Sequence, residues 1–300
     1  MVSGVSSNNS RTRNLAAAGA GIAVGTALPA LTVVDSIRTS SPQELGDSLK
    51  FMKKLMPATD TFENVKANAE KVLEESGLKA KGVKATFITN TEESLSHLKD
   101  ICTQEAGVKN SFQRKLGKNY FNIFKEGANA AFFPKANECV VHSENLYDSI
   151  FHELGHAMNK NGNVFTKALQ NARVLTPFGA SIVAPIALGF GIFHKVDKTK
   201  PNEEKGAWEK TKDFIANHAA GLTALSYVPM LAEEGLASIR GLKAVKPHVS
   251  KEIFGNLAKN YAKAWGTYGA LAAAVTGGVA GGIALAKHIR KDHQPKAEKA

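Results

Sequence analysis

Cysteine is nearly absent from this chain. Two occur in 300 residues, Cys102 and Cys139. They can form one disulfide at most, so no disulfide framework shapes the fold, and the count leaves the compartment open. Nucleic-acid signatures are missing as well: there is no zinc-finger, RNP or basic-zipper pattern. The net charge is +11, but the excess lysines are scattered and form no dense tract. No nucleic-acid partner is expected, and anionic lipid headgroups are at least as good a match for the basic surface. No internal repeat is visible. What is present is 43% hydrophobic residues, enough for one large domain or two modest ones, each with its own core.

The composition changes several times along the chain. Residues 1–14 are polar and read as a flexible tail. The stretch 15–34, LAAAGAGIAVGTALPALTVV, has the length of a bilayer span but only mediocre apolarity. Three readings compete for it: a membrane anchor, a signal-like segment or a loosely packed helix. Residues 35–173 are mixed and hold the chemistry discussed below. Within them 61–77 places Phe62, Val65, Ala69, Val72 and Leu73 on one helical face, with Gly77 as the stop. The stretch 83–89, VKATFIT, has strand composition. NAAFFP and NECVVH flank the turn PKAN at 134–137 and predict a hairpin. Residues 174–231 form two apolar stretches, 174–193 and 214–231, around the charged loop 194–213. Their length and lack of charge predict a helical hairpin of membrane spans. Buried helices of a soluble protein are the competing reading. Residues 232–263 are basic, 264–287 are apolar and rich in Gly and Ala, and 288–300 form a basic tail. Gly277, Gly278, Gly281 and Gly282 put small residues four apart, a spacing that lets another helix approach.

The stretch SIFHELGHAMNKNG, 149–162, carries the chemistry. On a helix, positions four apart lie about 40° from one another around the axis. His152 and His156 can therefore offer imidazole nitrogens to one ion, and Glu153 lies beside them where it can act on a water. A cap at Ser143, the apolar residues Leu146, Ile150, Phe151 and Leu154, and the terminating NKNG all favour a helix. Gly155 is expected to let another backbone pack against it. ANECVV, just upstream, is placed to be an edge strand that binds extended substrate. A catalytic zinc needs a third protein ligand. His194 and His218 follow downstream, outside any H-x-x-G-x-x-H pattern. The stretch LAEEGLASIRGL, 231–242, reads as a helix beginning after Pro229 with two adjacent carboxylates, Glu233 and Glu234. They point about 100° apart, so one of them faces the ion.

HELGHA, an apolar hairpin and then VPMLAEEGLASIRGL together resemble the integral-membrane zinc metallopeptidases: the membrane heat-shock peptidases and the bacterial membrane neutral zinc metallopeptidases. The resemblance covers about residues 130–245. In that family a glutamate opening E-x-x-A-[DS] is the third ligand, and Glu234, Ala237 and Ser238 fit this spacing. The E-G-[FL]-A motif of glutamate zincins selects the same residue. The resemblance therefore implies Glu234 as ligand, with Glu233 as the fallback. Heat-shock-type members carry Asp where this chain has Ser238, and that Asp supports a histidine. The inserted spans account for the 78 positions between His156 and Glu234.

The implied fold is α+β and mostly helical. It has a zincin-like core, made of a small sheet, the H-E-x-x-H helix and the Glu-ligand helix, joined to apolar transmembrane helices. The implied function is a membrane-associated zinc endopeptidase, holding one catalytic Zn2+ and acting on protein or peptide substrates, with membrane lipid as a further partner. Glu153 is the base. Tyr227, Arg240 and His218 are candidates for oxyanion or substrate contacts, each with a competing structural role. Localisation is expected to be multi-pass membrane, with the side of the zinc domain undecided. The alternatives are a non-catalytic zincin-fold scaffold and a membrane-inserting protein.

Overall fold

The computed structural model describes residues 42–194, 196 and 201–291. The expected tail and apolar helix at 1–34, and most of the basic tail at 288–300, lie outside the described residues. The class is α+β and mostly helical. The chain divides into two compact units. One takes Pro229–Gly269 with the described part of Val34–Val174, and the other takes the described parts of Leu175–Val228 and Ala270–Ala300.

The first unit contains the only sheet among the described residues. Its strands are β1 (Lys84–Ile88), β2 (Ala131–Phe133) and β3 (Glu138–His142), in the order β1-β3-β2. β3 pairs antiparallel with β2 across the 134–137 turn and parallel with β1. Parallel pairing needs a long crossover. Helices α3 (Glu92–Ala106) and α4 (Ser111–Lys125) supply it. α1 (Pro42–Leu55) and α2 (Phe62–Glu75) precede β1. α2 is capped by the Thr61 hydroxyl, which accepts from the Asn64 N–H. It stops at Gly77, whose φ of 71° is costly for any residue with a Cβ.

All five residues of β3 are buried, and alternate side chains enter different cores, as a pleat requires. Cys139 and Val141 join Val65, Val72 and Leu73 of α2, with Phe151 and Leu154, on one face. Val140 joins Leu98, Ile101, Phe124 and Phe133 on the other. The ANECVV stretch is therefore the central strand. The expectation of an edge fails because β1 returns to pair with it from 50 residues upstream, which local patterning does not register. β2 is the edge. Cys102 and Cys139 are both free and buried.

Downstream come α5 (Ile150–Lys160), α6 (Val164–Phe193), α7 (Ala207–Val245) and α8 (Lys251–Lys291). α5 does not start at Ser143, whose N–H continues the sheet by donating to Ile88 O. A 3-10 turn, Tyr147–Ser149, follows Leu146 in left-handed geometry and leads into the helix. α7 does not begin after Pro229 either. It runs through the proline, and its non-helical backbone lies at His218 (φ −115°). One missing i→i−4 bond weakens a helix of this length without ending it.

Among the described residues, one helix is long and apolar enough to cross a membrane, Lys251–His288. The expected pair of spans at 174–193 and 214–231, and with it the multi-pass expectation, is not supported among the described residues. The 214–231 stretch interrupts its apolar residues with Asn217, His218, Thr223 and Ser226. Of 174–193, the apolar piece in view is Ile182–Phe193, which is shorter than a bilayer span. A Cβ on Gly277 or Gly281 would meet nothing, so neither glycine serves a close contact here.

Candidate metal centre

The site lies in the sheet-bearing unit, where α5 crosses α7. Two glycines, one on each helix, set the closeness of that crossing. A Cβ on Gly155 would overlap the Ala237 carbonyl, and a Cβ on Gly241 would overlap the Phe151 carbonyl. Each helix thus presents bare backbone to the other, and side chains of modest length span the gap.

Three groups converge there. His152 Nε2 lies 3.0 Å from His156 Nε2 and 3.2 Å from Glu234 Oε2. His156 Nε2 lies 3.6 Å from the same oxygen. A tetrahedral ion with bonds of about 2.0–2.1 Å has ligand atoms about 3.3 Å apart, so this triangle matches one face of a zinc coordination shell.

The outer nitrogens fix the tautomers. His152 Nδ1 is 3.0 Å from Ser238 Oγ, whose hydroxyl donates to Glu234 O. With its proton committed, Ser238 Oγ can only accept from the ring. His156 Nδ1 is 2.8 Å from Glu233 Oε1, which also receives the amide of Asn159 at 2.9 Å. Both Nδ1 atoms therefore carry the proton, and both Nε2 atoms turn lone pairs toward one point, beside a carboxylate oxygen. Lone pairs packed this closely repel unless a cation sits among them. Acceptors on the outer nitrogens are the usual support for metal-ligating histidines.

Charge points the same way. Glu153, Glu233 and Glu234 are buried, and Arg173 is the cation among them. With neutral imidazoles the cluster carries −2, the complement of a divalent ion. Arg173 Nε donates to Glu234 Oε1 at 2.5 Å and faces Glu233 Oε2 at 3.3 Å. Burial opposes ionisation of Glu234, but Arg173 and His156 outweigh it and hold the carboxyl well below its usual range. Burial and Arg173 both work against a charge on His156, yet Glu234 and Glu233 carry it up to about 9. In the absence of a metal, the site takes up a proton in its place.

Beside this cluster lies a cavity of about 140 Å³ lined by His152, Glu153, Arg173, Glu234, Tyr261 and Tyr268. Glu153 Oε2 is buried there with no partner among the described residues. A buried carboxylate oxygen without a partner is costly unless something arrives to use it. Tyr261 ties α8 to the start of α5: its hydroxyl accepts from the His152 N–H and donates to Asp148 O in the preceding 3-10 turn.

Of the residues singled out in the sequence, His152, Glu153, His156 and Glu234 come together here. Glu233 faces the outer nitrogen of His156, not the point where the other donors meet. Arg240 lies elsewhere on the crossing and caps the end of α5 by donating to Met158 O. His218 and Tyr227 belong to the other unit and do not line the cavity. His218 bonds to Phe214 O and stacks on its ring. His194 is paired with Asp213 at 2.5 Å. Arg173, Tyr261 and Tyr268 had no motif to mark them. The one available signal was Arg173, a lone charge at the border of a twenty-residue uncharged run.

No protein-family model, curated protein or solved structure matches this chain.

Proposed function

We propose that the chain is a zinc-dependent peptidase of the glutamate-zincin kind, held at a membrane by α8. His152, His156 and Glu234 would hold the ion. The observation that carries the reading is the convergence of two imidazole Nε2 atoms and one carboxylate oxygen at tetrahedral spacing, beside the unpartnered Oε2 of Glu153. Zinc in such a site supplies Lewis acidity, lowering the pKa of a water and polarising a carbonyl.

The remaining work falls to the chain's own groups. Glu153 accepts a proton from the attacking water and returns it to the leaving amine, a role its free oxygen suits. Tyr268, which lines the same cavity, would be the phenol that donates to the oxygen that gains charge. Arg173 keeps Glu234 ionised and oriented. Ser238 and Glu233 hold the two imidazoles in the ligating tautomer. Substrate would lie extended along β2. Ala131 and its neighbours Asn129 and Ala130 border the cavity, and the free edge of β2 can accept one more strand.

Two observations support the membrane. The apolar window of α8 is only 28% buried. In the Leu175–Val228 and Ala270–Ala300 unit, Ile182, Ile186, Phe193, Leu225 and Leu285 are exposed.

The test is zinc content and peptide hydrolysis of the detergent-extracted chain and its Glu153→Gln variant. One zinc in both, with hydrolysis lost in the variant, is the expected result. Zinc in both with hydrolysis in neither would favour a non-catalytic scaffold.

A further inference from the structure

A second cavity, of about 220 Å³, adjoins the metal cleft and shares Asn129, Ala131 and Arg173 with it as a common wall. At roughly 30 Å³ per water, its volume is about seven waters, room for one side chain. Tyr120, Phe124 and Phe133 form much of its lining and meet edge to face. Gln170 also lines it, one helical turn before Arg173 on α6. That glutamine is 1% exposed, and neither Nε2 nor Oε1 has a partner among the described residues. An apolar residue at 170 would fill the same space without cost. Instead a primary amide is buried in the lining of this cavity with both its donor and its acceptor unspent.

We propose that this cavity is the specificity pocket of the peptidase and selects a substrate residue with a carboxamide side chain, glutamine or asparagine, through paired hydrogen bonds with Gln170. The inference rests on the peptidase reading and names the substrate class for it.

The chemistry narrows the occupant. A carboxamide donates and accepts in one plane and so answers both free atoms of Gln170 at once. A hydroxyl offers a single hydrogen to give, and methionine, of similar length, offers none. Charge is poorly served. The Glu105 carboxylate already accepts the Lys135 N–H, and Arg173 is committed to Glu234 and Glu233. The aromatic wall suits the methylene stem of glutamine.

The experiment measures binding, so that it does not depend on turnover. The zinc-loaded Glu153→Gln chain is titrated calorimetrically with blocked alanine pentapeptides carrying Gln, Asn, Met, Lys or Tyr at the centre. Wild type is assayed for cleavage of the same set. The expected result is Gln tighter than Met by about tenfold or more, with the order inverted in Gln170→Leu and weakened in Gln170→Glu. Equal affinity for Gln and Met, or no binding of any peptide, overturns the proposal. Lys as the tightest binder also overturns it and points to Glu105 as the reader. Gln-selective binding without cleavage by wild type keeps the pocket and sinks the peptidase reading. Cleavage without any preference for Gln does the reverse.

Discussion

Arg173 Nε and Glu234 Oε1 lie 2.5 Å apart in the interior of the candidate metal centre, while Glu234 Oε2 faces both histidines. One carboxylate thus serves a permanent cation with one oxygen and the two imidazoles with the other. Arg173→Met makes the cluster one unit more negative. The metal-free variant should lose about 3 kcal/mol, the usual scale for breaking a buried pair. Zinc should then raise its melting temperature by more than it raises that of wild type. Thermal melts with and without zinc check this; an equal zinc shift in the two proteins contradicts it.

The α5–α7 crossing makes a second prediction. Gly155→Ala and Gly241→Ala should each cost about 1–3 kcal/mol, because a methyl meets a carbonyl that has no room to withdraw. Each should also weaken zinc binding, since the donors sit on the helices being pushed apart. Gly46→Ala, where a Cβ meets nothing, is the control and should be neutral or stabilising by up to about 1 kcal/mol. Urea denaturation and zinc titration of the three variants give the comparison.

Support of the imidazoles can be measured by chelator competition. Ser238→Ala removes the acceptor on His152 Nδ1, and Glu233→Gln removes the charge beside His156 Nδ1. Losses of zinc affinity of about 10-fold to 100-fold are expected, the larger for Glu233. Unchanged affinity in both would mean that packing alone orients the rings.

Asp148 gives a pH dependence separate from the metal. Burial raises its carboxyl from 3.8 to about 6, against the opposing hydrogen bonds from Thr59. The folded chain thus binds this proton more tightly than the unfolded chain. The resulting stability is fully present below about pH 4 and is lost as pH rises through about 6. Asp148→Asn keeps an oxygen for the Thr59 N–H and removes the charge. It should stabilise by about 1–3 kcal/mol at pH 8 and by almost nothing at pH 4. Denaturation curves at the two pH values decide it.

Much of the local structure was legible in the residues. The 61–77 periodicity, the VKATFIT composition and the PKAN turn mark elements that depend on near neighbours, and α2, β1 and the β2–β3 hairpin lie there. The four-residue spacing of His152 and His156 places both on one face of any helix they occupy. The long-range facts were not legible. That β3 is central depends on pairing with β1 across 50 residues. Ser143 looks like a cap until its N–H is needed by Ile88. Pro229 looks like a helix start, but the surrounding helix tolerates one lost bond. Arg173 is silent in sequence because its meaning lies wholly in the two carboxylates it meets, some sixty positions on.

The Gly155–Gly241 crossing has a consequence for the order of events on heating. Holding an ion there would depend on the separation of two axes, whereas helicity depends on hydrogen bonds within each rod. A loosening that leaves every turn wound would already scatter the donors. Release of bound metal should therefore precede the fall in far-ultraviolet ellipticity, as a separate earlier step.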